Sequence, residues 1–217
     1  MPLLLVDLDN TLVGRYAAFE RWAFTFVERL GASLQEVDWL IRGDPDGYKP
    51  REEDATEIAL RFGLLDPAAS AVIEQLRDGM VAQLEIDQDV LLALEEAAQA
   101  DWIPVAVTNG TQVQQERKIR HVGLEGYLAS WVISDAVGVA KPDPQIFHVA
   151  AEQVGGSLDG AWMIGDSAHA DIGGAHAVGI ESVWLHRGRS WESPGYAPTL
   201  VADDCAEAIR MALAATA

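Results

Sequence analysis

The sequence predicts an α/β protein, a doubly wound parallel sheet interrupted by an all-helical insert. Three observations predict it. Short apolar runs alternate with helical stretches through the second half of the 217-residue chain, as they do where crossover helices join parallel strands. One apolar run near the N-terminus stands apart from the rest, separated by a long stretch of helical spacing without strand signals. Asp7, Thr108 and Asp166 close three of the apolar runs, and the carboxyl ends of such strands form the ligand crevice of a doubly wound sheet.

The first element is Leu3–Val6, apolar on both faces like a parallel-sheet strand. It runs into Asp7, Asp9 and Thr11 within the stretch Leu-Val-Asp-Leu-Asp-Asn-Thr-Leu. Two carboxylates at one strand end repel each other unless a cation or a shared proton compensates. The arrangement suits a divalent metal, one carboxylate as nucleophile and the other as proton carrier. A strand running into an Asp/Asn-rich turn is the alternative reading of these residues alone.

Helical spacing then covers 16–30, 34–42, 51–62 and 67–85, with Gly31, Gly43, Gly47 and Gly63 as breaks and Pro67 suited to a first turn. Between the second and third of these lies a turn-rich loop, 43–51. Its Asp spacing resembles a calcium loop but lacks the full ligand series and the closing Glu. A further helix over 91–100 leads to the sheet. Strands are expected at 103–107, 131–133, 161–164, 182–185 and 199–201. Pro104 cannot donate to a ladder, so the strand containing it is expected to begin at Val105. Helices are expected at 112–122, 144–154, 170–178 and 204–214. The Ala-rich tail is expected to fray.

Four segments stand in a fixed order: Asp7-Leu8-Asp9, Thr108-Asn109-Gly110 after a strand, Lys141 in Val-Ala-Lys-Pro-Asp-Pro, and Gly165-Asp166-Ser167 followed by Asp171. Together they resemble the motifs of the haloacid dehalogenase superfamily, over nearly the whole chain. The resemblance implies a Rossmann-like catalytic core, 1–14 and 88–217, and a helical cap, 15–87, that selects the substrate. It implies that Asp7 attacks phosphorus and becomes an aspartyl phosphate. Asp9 protonates the leaving alkoxide and then deprotonates the attacking water. The resemblance further implies that Mg²⁺ is held by Asp7, the backbone carbonyl of Asp9, and Asp166. Thr108 and Lys141, with backbone N–H groups of Asn109 and Gly110, bind phosphate oxygens.

Asp171 acts in the outer shell, through water or by orienting Lys141; a carboxylate placed to suit a helix N-terminus is the alternative. Ser167 serves either as a helix N-cap or as a site residue. Tyr48, Lys49 and Arg51 are candidates for reading the leaving group, against a plain exposed loop, and Trp22 and Trp39 for lining a substrate pocket. Asp9 favours phosphoryl chemistry, since dehalogenases of the superfamily lack that aspartate. Residues 107–110, 137–142 and 197–199 look most like nucleoside 5′-monophosphatases and acylneuraminate phosphatases. Phosphoglycolate or a sugar phosphate is the alternative substrate, and a phosphomutase or a binding module the alternative function.

Composition fits a soluble, cytoplasmic protein, monomeric or homodimeric. The chain is 49% hydrophobic and 23% charged, and no apolar run approaches the roughly 18 residues that a membrane span needs. The N-terminus has no signal-peptide pattern. Cys205 is the one cysteine, so no intramolecular disulfide forms. A net charge of −19 argues against binding a nucleic-acid polymer, which requires a basic surface. It also repels a small anionic phosphate ester, so local positive charge must attract one. Lysine is scarce (Lys49, Lys118 and Lys141), which marks Lys141 as more than incidental. His121, His148 and His176 fall on helices without zinc-site spacing, and Arg187 and Arg189 read as a solvated basic patch.

Overall fold

The computed structural model describes residues 1–43, 51–64, 78–193 and 195–216, without the side chains of 51–54. The chain divides into two compact units, Met1–Val13 with Ile86–Ala217, and Gly14–Glu85.

The first unit is built on six parallel strands: β1 Leu3–Val6, β2 Ile103–Thr108, β3 Ser130–Ile133, β4 Trp162–Gly165, β5 Glu181–Leu185 and β6 Leu200–Ala202. Their order is β3-β2-β1-β4-β5-β6, with Leu5 opposite Val105 on one side and Met163 on the other. Chain direction across the sheet reverses at β1, which makes the β1/β4 boundary the topological switch point, where such sheets bind ligands. The unit's helices are α4 Gln88–Gln99, α5 Gln112–His121, α6 Ser134–Val137, α7 Pro144–Gln153, α8 Gly173–Val178 and α9 Cys205–Thr216; α1 to α3 belong to the second unit.

β1 is solvent-free on both faces because each face meets a helical layer. Leu3 and Leu5 join Val105, Val107 and Met163 in a core with Ile146, Phe147 and Ala150 of α7. α4 and α9 pack together over the other side of the sheet. Gly174 of α8 has no room for a side chain, since a Cβ there would stand 2.5 Å from the Phe147 ring.

β2 begins at Ile103, not at Val105, with Pro104 inside it. The reason lies in the ladder. Ile103 donates to Pro2 on the β1 side, so the Pro104 nitrogen faces β3, whose pairing starts only at Ser130 opposite Val105. No ladder bond is lost, and the Pro104 carbonyl still accepts from Ala129 at 2.9 Å. The helix expected from Ala170 starts earlier, as a wide π-type turn over Ala168–Ile172. Among the described residues no helix is long and apolar enough to cross a membrane.

The second unit contains α1 Arg15–Arg29, α2 Gln35–Gly43, α3 Arg51–Arg61 and a helical stretch over 78–82. Its interior is aromatic: Trp22 stacks between Phe19 and Phe26, and Phe62 meets Phe26 and Trp39 edge-on. A Cβ at Gly79 would lie 2.5 Å from the Trp22 ring, so packing consumes Trp22, which is 5% exposed. Arg61 lies over Trp39 and pairs with Glu36 at 2.8 Å. Tyr48 and Lys49 lie outside the described residues; Arg51 opens α3, and its side chain is outside them too.

Candidate active site

The carboxyl ends of β1, β2 and β4 bring Asp7, Thr108 and Asp166 together, because these strands are adjacent and in register. Asp7 continues the β1/β4 ladder, donating its N–H to Ile164 at 2.9 Å. The chain then folds into a tight turn, with Leu12 N–H on the Asp7 carbonyl and Asn10 left-handed at φ 61°. Asn tolerates that conformation better than most residues.

Lys141 reaches this point from the loop before α7. Its backbone is clamped to Asn109, whose side chain donates to the Lys141 carbonyl and accepts its N–H, both at 2.9 Å. Its Nζ donates to Asp7 Oδ1 at 2.6 Å, Asp171 Oδ1 at 2.7 Å and the Val107 carbonyl at 2.5 Å. An ammonium has three donors, and all three are used. Lys141 therefore fixes Asp7 and Asp171 directly; direct contact with a phosphate requires that one of these bonds be exchanged. The Gly110 N–H is also engaged, by Ser134 Oγ at 3.0 Å. Gly110 itself is required by its φ of +146° and by Gln115, which would stand 3.0 Å from a Cβ.

Asp171 is buried under β4. A Cβ on Gly165 would fall 2.2 Å from its carboxylate, so that glycine makes the room. The second oxygen of Asp171 accepts the Ser167 N–H at 2.9 Å, and Ser167 Oγ accepts from Ala170 N–H at 3.1 Å. This reciprocal pair makes Ser167 an N-cap. Asp171 thus caps the turn and orients Lys141 at once.

Asp7, Asp166 and Asp171 each offer a carboxylate oxygen within 4.8 Å of the others. Burial pushes the Asp7 carboxyl up to about 7 against the pull of Lys141, with Asp171 and Asp9 adding repulsion. Burial, reinforced by Asp7, lifts Asp166 to about 6, while Arg189, Arg187 and Lys141 oppose the rise. Burial raises Asp171 as well, again against Lys141. Burial alone would lower Lys141, but Asp171 and Asp7 hold its ammonium above the ordinary lysine value. Three carboxylates share Lys141 and, at 3.2 Å from Asp166, the more exposed Arg189. An all-oxygen site with surplus negative charge fits a hard divalent cation. Asp9 was expected there through its carbonyl; its carboxylate points elsewhere, to Lys118 and Gln115.

Five residues at the site stand outside the sequence motifs. Gln115 and Lys118 sit on α5, a helix so polar along its length that no periodicity marks its buried face; the scarcity of lysine was the one signal. Ser134 meets Gly110 only because β3 ends beside β2. Arg189, read as solvated, donates to the Asp166 carbonyl at 2.6 Å as well as to its carboxylate, and lies over Trp184. Arg187 donates to the Asn10 carbonyl at 2.6 Å.

The model of haloacid dehalogenase-like hydrolases matches residues 1–179. Phosphoserine phosphatase of Thermus thermophilus is 34% identical over 95% of this chain and 97% of its own length. Pyrimidine 5′-nucleotidase YjjG of Escherichia coli is 38% identical, over 43% of this chain and 42% of its own. Among solved structures, the HAD-hydrolase YfnB of Bacillus subtilis, bound to magnesium, superposes with a TM-score of 0.73 at 23% identity, covering 97% of this chain and 98% of that one. A dehalogenase superposes at 0.76 with 20% identity, over 97% and 96% of the two chains. The likeness to these two structures is one of fold. The family-model match and the nearly full-length relative carry the membership: this chain belongs to the haloacid dehalogenase-like hydrolase family.

Proposed function

We propose that the protein is a Mg²⁺-dependent phosphomonoester hydrolase that works through an aspartyl phosphate on Asp7. The observation that carries this is the buried cluster at the switch point. Asp7 is held by Lys141 at 2.6 Å, among carboxylates that fit a divalent cation, with a second carboxylate, Asp9, two residues on. Asp7, Asp166 and the Asp9 carbonyl would hold Mg²⁺, with Asp171 behind them, and the ion would neutralise charge on the phosphoryl group and on Asp7.

An oxygen of Asp7 attacks phosphorus, and the ester P–O bond breaks as Asp9, protonated on an oxygen that Lys118 gives up, passes that proton to the leaving oxygen. Asp9, now ionised, takes a proton from water; the water oxygen attacks phosphorus, the Asp7–phosphorus bond breaks, and inorganic phosphate leaves. Lys141 fixes the rotation of the Asp7 carboxylate, and its charge favours the dianionic substrate against the overall field of the chain. Thr108 Oγ accepts from Gln115 at 2.7 Å, and among the described residues its own proton meets only the Asn109 carbonyl, at 3.4 Å. A phosphate oxygen would compete readily for that proton.

We assign the choice of ester to the helical unit, whose role the sequence resemblance implies. Residues 107–110 and 137–142 favour a nucleoside 5′-monophosphate. Phosphoserine has separate support, since the phosphoserine phosphatase relative aligns along 95% of this chain and the nucleotidase along 43%. The deciding experiment is phosphate release from a panel holding phosphoserine, pyrimidine and purine 5′-monophosphates, phosphoglycolate and sugar phosphates. It is run with Mg²⁺, with EDTA, and with Asp7→Asn. Turnover is expected to require Mg²⁺ and to fall by about 10³-fold or more in the variant. A variant as active as the parent would refute the nucleophile assignment.

A further inference from the structure

We infer that Gln115 and Lys118 are positioning residues for the proton-transferring carboxylate Asp9; the inference rests on the hydrolase reading above. The two side chains are spaced i, i+3 on α5 and therefore share one helix face. That face is turned into the protein: Gln115 is 2% exposed and Lys118 3%. Buried polar groups of this size persist only when they are fully engaged, and both engage Asp9. Lys118 Nζ stands 2.7 Å from Oδ1 and 2.6 Å from Oδ2 of Asp9. The ammonium thus spans both oxygens and fixes the plane of the carboxylate. Gln115 Nε2 adds a bond to Oδ2 at 3.0 Å, which selects one of the two rotations that Lys118 alone would allow.

The same Nε2 donates to Thr108 Oγ at 2.7 Å and approaches the Asn109 carbonyl at 3.3 Å. One amide therefore ties the proton carrier at the end of β1 to the hydroxyl at the end of β2. Asp9 lies within the tight turn after β1, and its side chain is 23% exposed, so the turn alone does not dictate where the carboxylate points. Proton transfer to a leaving oxygen needs that carboxylate within hydrogen-bond reach along one direction. α5 supplies the direction.

The test separates positioning from plain structural support by changing the leaving group. Departure of p-nitrophenolate needs no proton, whereas departure of an alkoxide does. kcat/KM reports the steps up to that departure. The measurement is kcat/KM for p-nitrophenyl phosphate and for the best alkyl phosphate of the panel, with Mg²⁺, in the parent, Gln115→Leu and Lys118→Met. Expected is a drop of about 10- to 100-fold for the alkyl ester against less than about 3-fold for the aryl ester. Any effect transmitted through Thr108 and phosphate binding cancels in the ratio of the two. Equal losses for both esters, or no loss, would overturn the inference. Should Lys118→Met fail to fold, Gln115→Leu, which removes no charge, decides alone. A parent protein that releases phosphate from neither ester defeats the hydrolase reading itself, and the positioning role falls with it.

Discussion

Replacing Lys141 by Met should expose how much of the site's order depends on one cation. The Nζ is 2.6 Å from Asp7 and 2.7 Å from Asp171, and the lysine side chain is 2% exposed. Removing one partner of a buried ion pair costs about 3–5 kcal/mol, because the remaining charge has no compensation. In a chain of this size each kcal/mol moves Tm by about 2–4 °C, so a fall of about 6–20 °C is expected near neutral pH. The loss should shrink on acidification. Without the ammonium, burial and mutual repulsion raise the Asp7 and Asp171 carboxyls further, so the folded variant binds protons that the unfolded chain has released. Stability of the variant therefore falls more steeply than that of the parent as pH rises from about 5 to 8. The assay is urea unfolding of metal-free parent and variant at pH 5 and pH 8. A penalty below about 1 kcal/mol at pH 8, or one equal at the two pH values, would refute the claim that Lys141 is what allows these carboxylates to be buried together.

Two further outcomes follow from the same cluster. Asp166 has its carboxyl raised from 3.8 to about 6, so folded protein holds a proton that unfolded chain has lost between those values. Its ionisation thus lowers stability as pH rises through that window, by up to about 3 kcal/mol; Lys141, charged throughout, contributes nothing to the slope. Asp166→Asn should reduce the slope in EDTA by this share, leaving what the raised Asp7 and Asp171 carboxyls contribute, and Mg²⁺ should offset it in the parent; an unchanged slope in the variant, measured by urea unfolding from pH 4 to 7, would count against it. Gly165→Ala places a Cβ 2.2 Å from the Asp171 carboxylate, and the clash should cost about 1–3 kcal/mol and lower activity by displacing Lys141. A variant with the parent's Tm and turnover would show that Asp171 moves without consequence.

The sequence by itself determined the sheet, its strand-end residues and the helical character of the insert's described residues; most of the helix expected over 67–85 lies outside them. These are properties of short windows. A strand buried on both faces must be apolar throughout, as Leu3–Val6 is, and a chemical residue can only stand where the run ends. Once three such ends appear in order, strand adjacency delivers Asp7, Thr108 and Asp166 to one place. Boundaries were less legible. Pro104 reads as a strand breaker until the ladder shows that its missing N–H faces the unpaired end of β3, which depends on the register of two neighbours. Only the tertiary structure decided how the site's charges are shared. Lys141 uses all three donors on Asp7, Asp171 and Val107, the Gly110 N–H goes to Ser134, and Arg189 turns back onto Asp166. Gln115 and Lys118 are separated from Asp9 by more than a hundred residues. No local pattern encodes those pairings, because a hydrogen-bond partner is chosen by position in space after the chain has folded, and the side-chain types alone allow many.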